Sequence, residues 1–200
     1  MNELNPNRLT FPNKPMYKYL VTLPFLLFAV YLLTTGEYKN LDVEKLLLAN
    51  PKYLSSIGIA SCVFLSVLGA AIGIYTTGTT LLGAAVREPR VKTKNLISIL
   101  FCEAVAIFGL IAAIILVTKD KPLTGLFTVA EYKDSFSIFW GGLTVGLCEM
   151  GCGIAIGYVG SGAVLADAAD PKLFIRVLVI EIFASAVGLF GLIVGLIIVF

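Results

Sequence analysis

The stretch Leu100-Phe101-Cys102-Glu103-Ala104-Val105-Ala106-Ile107-Phe108-Gly109-Leu110 sets one acid inside an apolar run that extends from Leu96 to Val117. Such a run is long enough to cross a bilayer as a helix. Glu103 lies nine residues past Lys94 (103−94=9), roughly 14 Å along a helix and not far from mid-membrane. An ionised carboxylate there costs on the order of 3 kcal/mol. Desolvation should therefore keep Glu103 protonated wherever it faces lipid. A carboxyl that is neutral in lipid and charged in a wet crevice can carry a proton. The bland alternative is a structural acid hydrogen-bonded between helices.

The rest of the chain supports a membrane setting. Of 200 residues, 58% are hydrophobic, which excludes an ordinary soluble globule. There is no histidine, so histidine catalysis and histidine-rich metal sites are excluded. Cys62, Cys102, Cys148 and Cys152 all fall in apolar segments. Cys148 and Cys152, four apart on one helix face, read as small packing residues. A metal pair is the sharper alternative, but closed structural sites want four nitrogen or sulfur ligands. No phosphate-cradling loop is present. No cofactor, metal or nucleic-acid partner is expected.

Residues 1–16 read as a polar, proline-rich leader. Residues 17–35 form a first apolar run, about one bilayer long, which Pro24 can kink. Its short core also resembles that of a signal peptide. Because the chain starts at Met1, a retained helix is expected. Residues 36–52 are a polar loop with room for a short amphipathic turn, and Asn50-Pro51 marks a helix start. Residues 53–86 are unbroken and would span about 51 Å, well beyond a ~30 Å hydrocarbon core. The compact basic loop Arg87–Lys94 leads into the Glu103 helix, to about Thr118. A mixed-charge loop over 119–134 follows, then a second long helix over 135–166. The turn Asp167–Pro171 precedes a last span over 173–200, which carries Glu181.

This predicts an all-α membrane protein of five spans. An N-terminal helix precedes two tandem hairpins, over 53–118 and 135–200. Of the 15 lysines and arginines, nine flank the N-terminus, the basic loop and the Asp167 turn, and six lie on the other side. The bias places the N-terminus in the cytoplasm and the C-terminus in a lumen or outside.

Small residues form stripes at steps of three and four. On the first long helix they are Ser55, Gly58, Cys62, Ser66, Gly69, Gly73, Thr76, Thr80 and Gly83. On the second, Gly142, Gly146, Gly153, Gly157 and Gly160 flank another acid, Glu149. Such stripes let backbones approach closely in lipid. Gly58, Gly69 and Gly73 map onto Gly142, Gly153 and Gly157 (153−69=84), and Phe108-Gly109-Leu110-Ile111 maps onto Phe190-Gly191-Leu192-Ile193. Both two-span units point the same way, unlike the halves of inverted-repeat transporters. By this repeat Glu103 corresponds to Ser185. Glu181 lies one helical turn earlier, so the two acids are not equivalent.

Several pieces carry a resemblance. They are Gly69-Ala70-Ala71-Ile72-Gly73-Ile74-Tyr75, Arg90-Val91-Lys92-Thr93-Lys94-Asn95-Leu96-Ile97-Ser98, Phe101-Cys102-Glu103, Ala166-Asp167-Ala168 and Val179-Ile180-Glu181-Ile182-Phe183. Over about 53–197 the chain resembles the c-double-prime proteolipids of the vacuolar-type proton ATPase, and the extra first span fits that type. Ordinary c proteolipids of this family carry the ion-binding acid at the position of Ser185; here it is at Glu103.

The resemblance implies a rotor ring of several c-type proteolipids. It also implies a stator a subunit whose arginine drives proton release, and a peripheral ATPase sector reached through the central stalk. It places the protein in vacuolar or other acidic-organelle membranes, or the plasma membrane, with the first helix inside the ring. Glu149 departs from the pattern and reads as a neutral structural acid. Glu181 reads as either structural or accessory. Ser98, Cys102 and Tyr75 are weak candidates for hydrogen bonds to Glu103, and the side chains beside it offer no ligands for sodium. The alternatives are a ring-completing scaffold without a transport site and a self-contained channel or transporter.

Overall fold

A computed structural model describes residues 50–120 and 128–200. Four helices among these residues are long and apolar enough to cross a membrane. The expected leader, the first span and the following loop as far as residue 49 lie outside the described residues, so four of the five expected spans are in view.

Helix α1, Pro51–Arg87, starts where Asn50 accepts a hydrogen bond from the Lys52 amide at 3.0 Å, with proline in its first turn. That pairing satisfies an otherwise orphaned donor. A single helical turn, Val91–Lys94, precedes α2, Leu96–Lys119. Helix α3, Val129–Ala169, begins six residues before the expected position. A capping box explains the extension: the Thr128 hydroxyl accepts from the Glu131 amide while Glu131 accepts from the Thr128 amide. Asp170 accepts from the Lys172 amide at 3.0 Å and starts a short 3-10 turn, Pro171–Leu173. Helix α4, Phe174–Val199, follows.

Helices α1 and α3 form the central pair. Gly58 meets Gly142, Gly69 meets Gly153 and Gly73 meets Gly157. The partners stay 84 positions apart, so the two helices run parallel and the repeat packs against itself in register. Helix α2 runs back along α1: Lys52 pairs with Asp120 at 2.8 Å, and the Cys62 thiol donates to the Gly109 carbonyl at 3.4 Å. Helix α4 runs back along α3, with Gly195 against Gly141, Gly191 against Cys148 and Gly188 against Cys152. Lys94 stacks over Phe174 and Lys119 over Phe200 at the two ends. Helices α2 and α4 are therefore parallel as well.

At its far end the α1 stripe departs from expectation. Gly58, Gly69 and Gly73 are buried, as are Gly142, Gly146, Gly153, Gly157 and Gly160 on α3. Past Gly73 the buried positions are Thr77, Leu81 and Ala85 rather than Thr76, Thr80 and Gly83. Gly83 is exposed, and a Cβ there would meet nothing within 4 Å. The physical reason is a change of neighbour. Leu81 packs with Val91 of the turn and Val164 of α3, so the seam drifts by steps of four towards them.

Candidate functional site

Glu103 is exposed on the outer face of α2. Leu96, Leu100, Ile107, Leu110 and Ile114 are also exposed, between 48% and 60%. Their spacings from Glu103 are those of one helix face. A single acid thus interrupts an outward apolar stripe, and within the described residues it has no hydrogen bond or ion pair. The three candidate supports do not reach it. Ser98 bonds Glu181, Cys102 is 0% exposed on the inner face, and Tyr75 points outward at 69% exposure. Ser98 and Cys102 lie on the inner face of α2, opposite Glu103, while Tyr75 points outward from α1.

Glu181 and Glu149 point inward. Glu181 is 1% exposed, and its Oε1 accepts from Ser98 Oγ at 2.6 Å, across from α4 to α2. Its Oε2 has no partner. Glu149 is 0% exposed, and neither of its carboxyl oxygens has a partner. It faces Gly188 of α4, where an added Cβ would lie 2.7 Å from Oε2. The Cys152 thiol beside it donates to the Ala184 carbonyl at 3.3 Å. Among the described residues no group of three acids or cysteines is placed to hold a metal.

A polar lock at the loop end escaped the sequence reading. Asp167, expected in a turn, sits in the last turn of α3 and is 0% exposed. Arg90 Nη1 reaches its Oδ1 at 3.3 Å and Nη2 its carbonyl at 3.0 Å. Asn95 Nδ2 donates to its Oδ2 at 3.1 Å. An acid at a helix C-terminus opposes the macrodipole, and the guanidinium offsets that cost. The lock ties the α1–α2 turn to the second hairpin. The available signal was the pair Asp167 and Asp170 before Pro171: only the second can cap the next turn, which leaves the first for another task.

Two parallel hairpins are thus packed in register, with a lone acid on an outward helix face. Matching this architecture, the family of ATP synthase C subunits is found twice in the chain, over residues 57–116 and 139–198. The c'' subunit of the V-type proton ATPase of Saccharomyces cerevisiae is 48% identical over 181 residues, covering 89% of this chain and 85% of the yeast protein. The c''2 subunit of the V-type proton ATPase of Arabidopsis thaliana is 49% identical over 150 residues, 74% of this chain and 84% of the plant protein. The 16 kDa proteolipid of the V-type proton ATPase of Rattus norvegicus is 37% identical over 151 residues, 74% of this chain and 94% of its own length. The chain belongs to the family of ATP synthase C subunits and, within it, to the V-type proton ATPase proteolipids.

Proposed function

We propose that the chain is a proton-carrying subunit of a rotor ring and that Glu103 is the carrier. The observation that carries this reading is the placement of Glu103 as the one acid in an exposed apolar stripe of α2. Facing lipid, the carboxyl holds its proton, because the charged form costs about 3 kcal/mol at mid-bilayer. Beside an arginine of the stator a subunit the balance reverses. An opposite charge at ~4 Å with an effective dielectric near 20 contributes about 4 kcal/mol, enough to favour the carboxylate. Rotation alternates the two settings, so loading and release become directional. ATP is hydrolysed in the peripheral sector, and torque reaches the ring through the central stalk.

The remaining assignments follow the same scheme. Other c-type proteolipids complete the ring, and α1 and α3 face its inner side. The basic loop end faces the cytoplasm and the C-terminus the lumen of a vacuole or another acidic organelle. The buried glycines of α1 and α3 set the helix spacing. Glu149 is a neutral structural acid.

Carbodiimide labelling of membranes holding the assembled complex tests the carrier. The reagent needs a protonated carboxyl in an apolar setting. Glu103 is expected to be the modified residue, with labelling that falls as pH rises. A Glu103 inert at neutral pH sinks the assignment.

Glu149 supports a second expectation. Two unpartnered buried oxygens are a liability, and an apolar residue of similar length removes it. Glu149→Met should leave proton transport unchanged and raise the resistance of the chain to denaturant by about 1–3 kcal/mol. A fall in transport with intact assembly would make Glu149 a transport site instead.

A further inference from the structure

Two buried oxygen atoms on neighbouring elements are left without partners, and they are complementary only in one protonation state. The first is Glu181 Oε2 on α4. The second is Asn95 Oδ1, at the start of α2, in a residue that is 0% exposed. Asn95 cannot be turned round to remove the problem. Its Nδ2 already donates to the Val91 carbonyl at 3.0 Å and to Asp167 Oδ2 at 3.1 Å, so Oδ1 must be the idle atom. Asn95 and Ser98 are three residues apart on one buried face of α2, which puts their Cβ atoms ~5–6 Å apart. Ser98 holds the other oxygen of Glu181.

If Glu181 were ionised, Oε2 and Asn95 Oδ1 would be two acceptors with no donor between them. With a proton on Oε2 they become donor and acceptor, joined directly or across one bridging water. The surroundings offer the charged form no help. Helix α3 presents Gly160 beside Oε1. Helix α1 presents Thr77, whose hydroxyl is committed to the Gly157 carbonyl at 3.1 Å. Helix α2 presents Ser98 and the Cys102 thiol, the titratable group that shares the field of Glu181. No lysine or arginine among the described residues pairs with it, and the nearby Asp167 is held by Arg90 and Asn95.

We infer that Glu181 holds a fixed proton and that this neutral acid clamps α4 to α2, accepting from Ser98 and donating to Asn95. It gives Glu181 a task distinct from carrying protons, and it stands independently of the role of Glu103. The clamp lies next to the Arg90–Asp167–Asn95 lock, so one buried polar chain links the two hairpins from the loop inward.

The infrared spectrum of the full chain in lipid tests this. Subtracting the spectrum of Glu181→Gln from that of the parent should leave a carboxylic-acid carbonyl band that persists across neutral pH. A carboxylate pair of bands in its place overturns the inference. Ser98→Ala and Asn95→Ala should each move the acid band, because each removes one of its two hydrogen bonds. A band that moves in neither variant overturns the clamp. In the assembled complex, Glu181→Gln should pump within about twofold of the parent, since its amide reproduces one donor and one acceptor. Glu181→Leu leaves the Ser98 hydroxyl and Asn95 Oδ1 without a partner, and the yield of assembled ring should fall about tenfold. Normal assembly of the leucine variant, or an assembled glutamine variant that no longer pumps, overturns the inference.

Discussion

Glu103→Gln is expected to abolish ATP-driven proton pumping by the assembled complex, by at least about a hundredfold, while the ring still forms. Glutamine matches the neutral acid in shape and polarity, so the outward face of α2 is unchanged in lipid. It has no proton to release, however, and it cannot form the carboxylate that a fixed cation would stabilise by about 4 kcal/mol. In the proposed rotary scheme every subunit passes the stator in turn, so one inert site should stop the cycle rather than lower flux in proportion. Glu103→Asp keeps the chemistry and withdraws the carboxyl by one methylene. It should retain measurable pumping at a reduced rate, since a misplacement near 1 Å costs up to about a hundredfold. Proton uptake into sealed vesicles, read beside ring yield, makes the comparison. Undiminished uptake by the glutamine variant would leave the chain only a scaffold.

Gly69→Val and Gly153→Val are expected to prevent the hairpins from packing. A Cβ on Gly69 would lie 2.5 Å from the Met150 Cα, and one on Gly153 would lie 2.6 Å from the Gly69 carbonyl carbon. Carbon atoms in contact prefer about 3.5–4.0 Å. The obstacle in both cases is backbone, which cannot rotate away as a side chain can. Two parallel helices would have to separate along their whole length, since α1 and α3 meet at several glycines in one register. Overpacking of this kind costs about 1–3 kcal/mol and occasionally more, and the loss should appear as failed ring assembly and a chain that unfolds readily in detergent. Gly83→Ala is the control. The space around Gly83 is open, and alanine favours the helix by about 1 kcal/mol. Equal damage from Gly83→Ala and Gly153→Val would contradict the observed drift of the seam.

Periodicity alone made much of the molecule legible. The apolar runs, the small-residue line from Ser55 to Gly73, the repeat at an offset of 84 and the isolation of Glu103 all follow from spacing along one helix. The line became wrong only beyond Gly73. There Thr77 is buried by its bond to the Gly157 carbonyl and Leu81 by Val164, partners far away in sequence. The early start of α3 came from a local cap formed by Thr128 and Glu131, a signal outweighed by the charge of that segment.

By itself the sequence determined a helical membrane protein, two like hairpins and three acids in apolar surroundings, because helix length and side-chain period are local properties. Which way each acid points was decided only by tertiary structure. Glu103 and Glu181 each lie seven residues beyond the first residue of their helix, Leu96 and Phe174. One faces out from the chain while the other is sealed against Ser98. The period of a helix says which residues share a face. What that face meets, hydrocarbon or a partner's hydroxyl, is set by helices distant in sequence, and that contact decides whether a carboxyl is free to exchange its proton.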